Sequence, residues 1–184
     1  MSGNEECAKW FAMSAPYRNE MKAARMLDEL HAEYFIPMHY VLVQRGAVKR
    51  RQLVPAVSNL LFVHATDTRM TYLKTKVPVM QYKVLKGHTA DGKAEKNEKI
   101  VIRDEEMDSF IKVCKDELEK LQFLRPEEVN LEKGTKVRVI GGPFDGIEGT
   151  FVKVKGSRAR KLVISIDNFI SVATEVSPEM IEVL

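Results

Sequence analysis

Residues 139–149 read Val-Ile-Gly-Gly-Pro-Phe-Asp-Gly-Ile-Glu-Gly. Glycine supplies a positive φ or a missing Cβ where a chain bends sharply, and Pro143 fixes its own φ just before Phe144. The run is therefore a tight turn. Before it, residues 136–140 alternate between apolar and polar, and residues 147–155 form a second strand after it. Residues 156–160 read as a basic hairpin, 162–166 and 170–176 as two further strands, and 180–184 as a last short one. Five short strands in about 54 residues suit a small closed barrel of the SH3-like kind, which leaves little free edge.

The rest of the chain mixes helix and strand. Residues 9–13 are an aromatic strand ending at the turn signal Ser14-Ala15-Pro16. From about residue 18 to 31, Met21, Ala24, Leu27 and Leu30 recur at helical spacing, with Asn19 as the cap. Residues 34–36 and 40–43 read as strand interrupted by Pro37, and 45–51 as a basic hairpin or loop. Residues 60–63 are a short buried strand. Thr66 caps a small helix through about residue 75 with Met70 and Leu73 inward, Pro78 ends it, and 79–85 return as strand. Residues 87–98 read as a mobile loop. A helix over 104–121 carries Met107, Phe110, Ile111, Cys114, Leu118 and Leu121 on one stripe, which makes Cys114 a buried structural thiol. The organisation is α+β: a domain over 8–121, a linker over 122–131 and a β domain over 132–184.

Charge is uneven. The 184 residues carry a formal net charge of +3, but residues 1–88 hold +6, residues 89–130 hold −4 and residues 131–184 hold +1. No apolar run approaches the ~20 residues of a membrane span, and the acidic start shows no secretory signal. Cys7 and Cys114 form no CxxC pair, which points to a reduced cytoplasmic protein without disulfide or zinc. His31, His39, His64 and His88 lack ligand spacing. No Walker loop follows the glycines, no nucleophile and base are paired, and Asp145 and Asp167 read as turn residues. No metal, cofactor or enzymatic activity is expected.

The 139–149 run closely resembles the KOW motif of NusG-type transcription factors and several ribosomal proteins. The front half resembles the NusG N-terminal domain: Trp10-Phe11 opening a strand, the helix after it, Phe35-Ile36-Pro37, Lys49-Arg50-Arg51, Pro55, Leu60-Leu61-Phe62-Val63, Val77-Pro78-Val79-Met80, and Ile102-Arg103-Asp104-Glu105-Glu106. Within that family the chain looks most like the specialised UpxY antiterminators of Bacteroides capsule polysaccharide loci, through Phe35-Ile36-Pro37-Met38, Arg50-Arg51-Gln52-Leu53-Val54-Pro55 and Asn59-Leu60-Leu61-Phe62-Val63-His64. Housekeeping members have Pro-Gly-Tyr where this chain has Ser58-Asn59-Leu60.

The resemblance implies an antiparallel N-terminal sheet with flanking helices, followed by a KOW barrel. It further implies a monomeric, non-enzymatic factor that binds the β′ clamp helices of RNA polymerase through Leu60, Phe62, Met80 and Tyr82 and suppresses pausing or termination. Four cations in seven residues, Arg45, Lys49, Arg50 and Arg51, could neutralise phosphates. Arg18, Lys22 and Arg25 at i, i+4 and i+7 form a second cationic stripe, and with Lys76 they are the candidate contacts for non-template DNA or nascent RNA. The KOW domain is expected to take a small-subunit ribosomal protein or Rho through Phe144, Ile147, Val163 and Ile164. The alternative is a KOW-bearing RNA-binding or ribosome-associated protein.

Overall fold

The computed structural model describes residues 6–46, 48–85, 98–116, 121–166 and 169–184. In chain order the first elements are β1 (Lys9–Ser14), α1 (Glu20–Glu29), β2 (Glu33–Phe35), β3 (Met38–Arg45), β4 (Val48–Pro55) and β5 (Leu61–Ala65). Next come α2 (Asp67–Lys76), β6 (Gln81–Tyr82), β7 (Val84–Leu85), β8 (Glu98–Lys99), β9 (Val101–Ile102) and α3 (Asp104–Asp116). The tail contains β10 (Gln122–Leu124), β11 (Thr135–Val139), β12 (Glu148–Lys153), β13 (Arg160–Ile166), β14 (Ile170–Thr174) and β15 (Ile181–Val183). The class is mixed helix and strand, and every strand pairing described is antiparallel. The chain divides into two compact units: one from Met1–Pro37 with Val57–Asp104, the other from Met38–Ala56 with Glu105–Leu184.

In the first unit the strands lie in the order β2-β5-β1-β6, with β9 also on β1. Central position explains why β1 and β5 are apolar on both faces. Trp10, Phe11, Ala12, Met13, Leu61, Phe62 and Val63 are all buried, as expected where both sides of a strand are covered. Helix α2 starts where Thr66 accepts a hydrogen bond from the Arg69 N–H at 3.2 Å. Asp67 in its first turn and Lys74 and Lys76 in its last complement the helix dipole. Met70 and Leu73 face inward as expected.

Helix α1 differs from its expected phase. Its buried residues are Glu20, Ala23, Ala24 and Leu27, whereas Met21 is 48% exposed. The helix begins at Glu20 because Tyr17 and Arg18 both have positive φ and break the run. Asn19 occupies the cap position without a side-chain cap bond; its Nδ2 instead donates back to the Pro16 carbonyl at 2.7 Å. The expected strand over 79–85 is two short pieces, β6 and β7. Helix α3 is described to Asp116 rather than 121 and buries Met107, Phe110, Val113 and Cys114. Leu118, His88, Asp167 and the loop at 87–97 lie outside the described residues.

Among the described residues of the second unit β3 and β4 pair only with each other, in register from Met38↔Pro55 to Arg45↔Val48. The tail forms one six-stranded sheet, β10-β14-β13-β12-β11-β15. Strand β10 lies inside the segment read as a linker. It takes the outer edge of β14, so among the described residues the ladder is open, running from β10 to β15 without the closure expected of a barrel. Leu124, Val129, Val152, Val154, Val163 and Ala173 pack together as one core of this unit. The 139–149 turn is built as its glycines require. Gly141, Gly142 and Gly146 have φ of 77°, 71° and 79°, and the Asp145 carboxylate accepts from the Gly141 N–H.

Candidate nucleic-acid interface

Two strained loops meet at the start of α1. Tyr17 (φ 62°, ψ 31°) and Arg18 (φ 57°) are consecutive left-handed residues, and Asn59 across from them has φ 59°. Such a conformation costs a non-glycine residue roughly 1–2 kcal/mol, so it persists only where the surroundings hold it. Here the Arg18 N–H donates to Asn59 Oδ1 at 3.3 Å. The Asn59 N–H in turn donates to the carboxylate of Glu20, itself only 2% exposed. The Ser58-Asn59-Leu60 sequence thus has a structural role: Asn tolerates the left-handed region and its side chain ties down the other loop.

This clasp presents cations. Arg18, Lys22 and Arg25 are all exposed, and no ion pair holds any of them among the described residues. Lys76, at the end of α2, is also exposed; its Nζ lies 5.8 Å from the Tyr72 ring centroid, with the Arg69 guanidinium 5.2 Å from the same ring.

Arg45, Lys49, Arg50 and Arg51 belong to the other unit, on the β3–β4 ribbon. Its register divides them between two faces. Lys49 and Arg51 share a face with Tyr40, Leu42 and Leu53, whereas Arg45 and Arg50 share the opposite face with Val43 and Val48. All four cations are exposed. The Arg51 guanidinium stacks 4.4 Å from the Tyr40 ring centroid, and Leu42 beside it is 74% exposed. Apolar side chains interleaved with cations on an open ribbon were not evident from the sequence, because a short basic run carries no sign of its register.

The expected polymerase contacts are placed mostly in the interior. Leu60, Phe62 and Met80 are buried to 1%, 0% and 1% exposure. They anchor the sheet and offer a partner no surface. Tyr82 is half-buried; its ring lies 5.9 Å from Phe11, with Lys74 Nζ 4.7 Å and Lys99 Nζ 4.2 Å from its centroid. The Lys83 ammonium next to it is pushed below its ordinary value by burial. The expected KOW contacts are interior too: Phe144, Ile147, Val163 and Ile164 are all 4% exposed or less. Periodicity names apolar positions but cannot say which of them a second layer covers.

On β5, between β2 and β1, His64 stacks on Trp10 at 4.9 Å between centroids. Its Nδ1 lies 2.6 Å from the Glu33 carboxylate and its Nε2 3.4 Å from that of Asp104. No group of three or more His, Cys, Asp or Glu is arranged to hold a metal among the described residues. No described helix is long and apolar enough to cross a membrane.

Residues 8–111 match a family model, NusG, described as transcription termination factor nusG. No curated protein matches significantly. The matched span contains the whole β2-β5-β1-β6 sheet, the Arg18–Asn59 clasp and the β3–β4 ribbon.

Proposed function

The chain belongs to the NusG family, and from that premise we propose that it is a non-enzymatic factor that rides on RNA polymerase and suppresses pausing or termination. The observation that carries this reading is the family match, whose span also contains the exposed cations Arg18, Lys22 and Arg25 at the start of α1 and along it. The partner on the enzyme would be the β′ clamp helices, since a helix can lay an apolar face on a sheet patch. Of the four expected contacts Tyr82 is the one with surface to offer, whereas Leu60, Phe62 and Met80 are buried. Arg18, Lys22, Arg25, Lys76 and the ribbon cations would meet non-template DNA or nascent RNA. The tail would be the KOW module, taking a small-subunit ribosomal protein or Rho. The UpxY-like blocks favour action at one operon, such as a capsule polysaccharide locus, within the cytoplasm where polymerase works.

The test is association of the purified chain with bacterial core RNA polymerase, together with read-through at a terminator in vitro. Binding and raised read-through are expected, and Tyr82→Ala should weaken binding in a chain that stays folded, its melting temperature lowered only by the lost packing on Phe11. Phe62→Asp is a poor probe, because it puts a carboxylate into a fully enclosed site and unfolds the sheet. Absence of any complex with polymerase would sink the proposal, and co-sedimentation with ribosomes instead would move the chain to the ribosome-associated class.

A further inference from the structure

Tyr17 is the most exposed large apolar side chain described, at 94% of its surface. Its ring packs on nothing among the described residues, so it returns almost no burial energy to the fold. Its backbone is nevertheless held left-handed, and so is that of Arg18, although glycine fills this conformation at Gly141, Gly142 and Gly146 elsewhere in the chain. The loop is tied at several points. The Asn19 N–H donates to the Ala15 carbonyl at 3.3 Å, Asn19 Nδ2 to Pro16, and the Arg18 N–H to Asn59, which Glu20 fixes in turn. A costly, over-determined backbone therefore holds an aromatic ring out in solvent.

The ring's neighbours in the chain identify what it suits. Arg18 follows directly, Lys22 and Arg25 continue along the exposed side of α1, and Met21 beside them is 48% exposed. The nearest acidic residue, Glu20, is buried and engaged with Asn59. An aromatic face beside a line of open cations is the arrangement that binds single-stranded nucleic acid: bases stack on the ring and phosphates meet the charges. A duplex hides its base faces, and an acidic protein would use the cations while leaving the ring idle.

We infer that Tyr17 is a stacking platform for an unpaired base of a single nucleic-acid strand, with Arg18, Lys22 and Arg25 meeting its phosphates. This rests on the nucleic-acid reading of the same helix and adds the residue that would distinguish a single strand from a duplex. The full chain is titrated at low ionic strength against a labelled mixed-sequence single-stranded DNA, the same sequence as RNA, and the DNA duplex. Tyr17→Ala should weaken single-strand binding roughly 5- to 150-fold, the range of one lost base–aromatic stack, with the salt slope unchanged. Tyr17→Phe should retain binding. Lys22→Ala should lower the salt slope, by about 0.7 for one lost phosphate contact. Comparison of the DNA and RNA arms identifies which strand is taken. Tyr17→Gly should lose binding while raising the melting temperature, because it relieves the backbone, and this separates the ring's role from a structural one. Equal affinity of Tyr17→Ala and the natural chain, or an equal loss on the duplex, overturns the stacking assignment alone. No strand binding by the natural chain overturns it together with the nucleic-acid reading of α1.

Discussion

A thiol's reactivity depends on where its side chain sits, and the two cysteines sit in opposite surroundings. Cys7 is exposed and Cys114 buried. Burial raises the Cys114 thiol well above its ordinary value of 9.0, because a thiolate there would lack solvation. A thiol reagent at mildly alkaline pH should therefore titrate one cysteine in the folded chain and two after denaturation; fast modification of both in the native state would contradict the burial. The unfolded thiol loses its proton near 9 while the folded one keeps it, so Cys114's contribution is present below that pH and lost as pH rises beyond it. Cys114→Val should flatten the alkaline fall in stability. This residue was legible, since its position on an apolar stripe is a matter of spacing. Glu20 was not. A charged residue reads as surface, and only the distant Asn59 N–H, 39 positions along the chain, makes its burial tolerable. Local periodicity places Met21 inward for the same reason: it carries no trace of the clasp that sets the phase of α1.

Elements whose character comes from local chemistry were legible, and those whose character comes from a neighbour were not. The turn at 139–149 shows both kinds. Its positive-φ glycines follow from sequence alone, but Gly149 matters for what lies against it. A Cβ there would stand 2.7 Å from Ile164 Cδ1 and 2.8 Å from the Val163 carbonyl oxygen. A backbone atom cannot be moved as a side-chain tip can, so Gly149→Ala should destabilise the C-terminal sheet by about 1–3 kcal/mol, read as a lower urea midpoint. Strand β10 escaped notice because three residues give no alternation to count, and only pairing with β14 makes them a strand. The β3–β4 ribbon is the reverse case: the charge run at 45–51 reads as a basic hairpin or loop, and the paired strands extend beyond it to Met38 and Pro55. Two strands that pair only with each other are marginal in water. The Tyr40-Leu42 face is open besides, so amides of the ribbon should exchange with deuterium faster than those of β1 and β5. Equal protection would mean that something else covers the ribbon in solution.

At the scale of the whole molecule, a net charge of +3 describes neither end of its electrostatics. Phosphate binding is set by the cations that reach a strand, since each releases counterions locally, whereas net charge acts mainly on long-range approach. The two contributions can be separated. Replacing Lys49, Arg50 and Arg51 with alanine lowers the formal charge from +3 to 0, and replacing the exposed Lys133, Lys136 and Lys153 of the tail lowers it equally. If the ribbon is a phosphate contact, the first triple should reduce the salt slope of single-strand binding by about 2, at roughly 0.7 per lost phosphate. The second triple should leave the slope nearly unchanged and slow association slightly. Equal losses from the two triples would mean that the protein holds nucleic acid by its overall field, and the ribbon would then have no special claim as an interface. The measurement also bears on why so modest a total charge suits a factor carried by a polymerase. A chain that meets a strand through the few cations of two small sites gains useful affinity only when another partner holds those sites beside the strand, because tethering multiplies weak contacts by effective concentration.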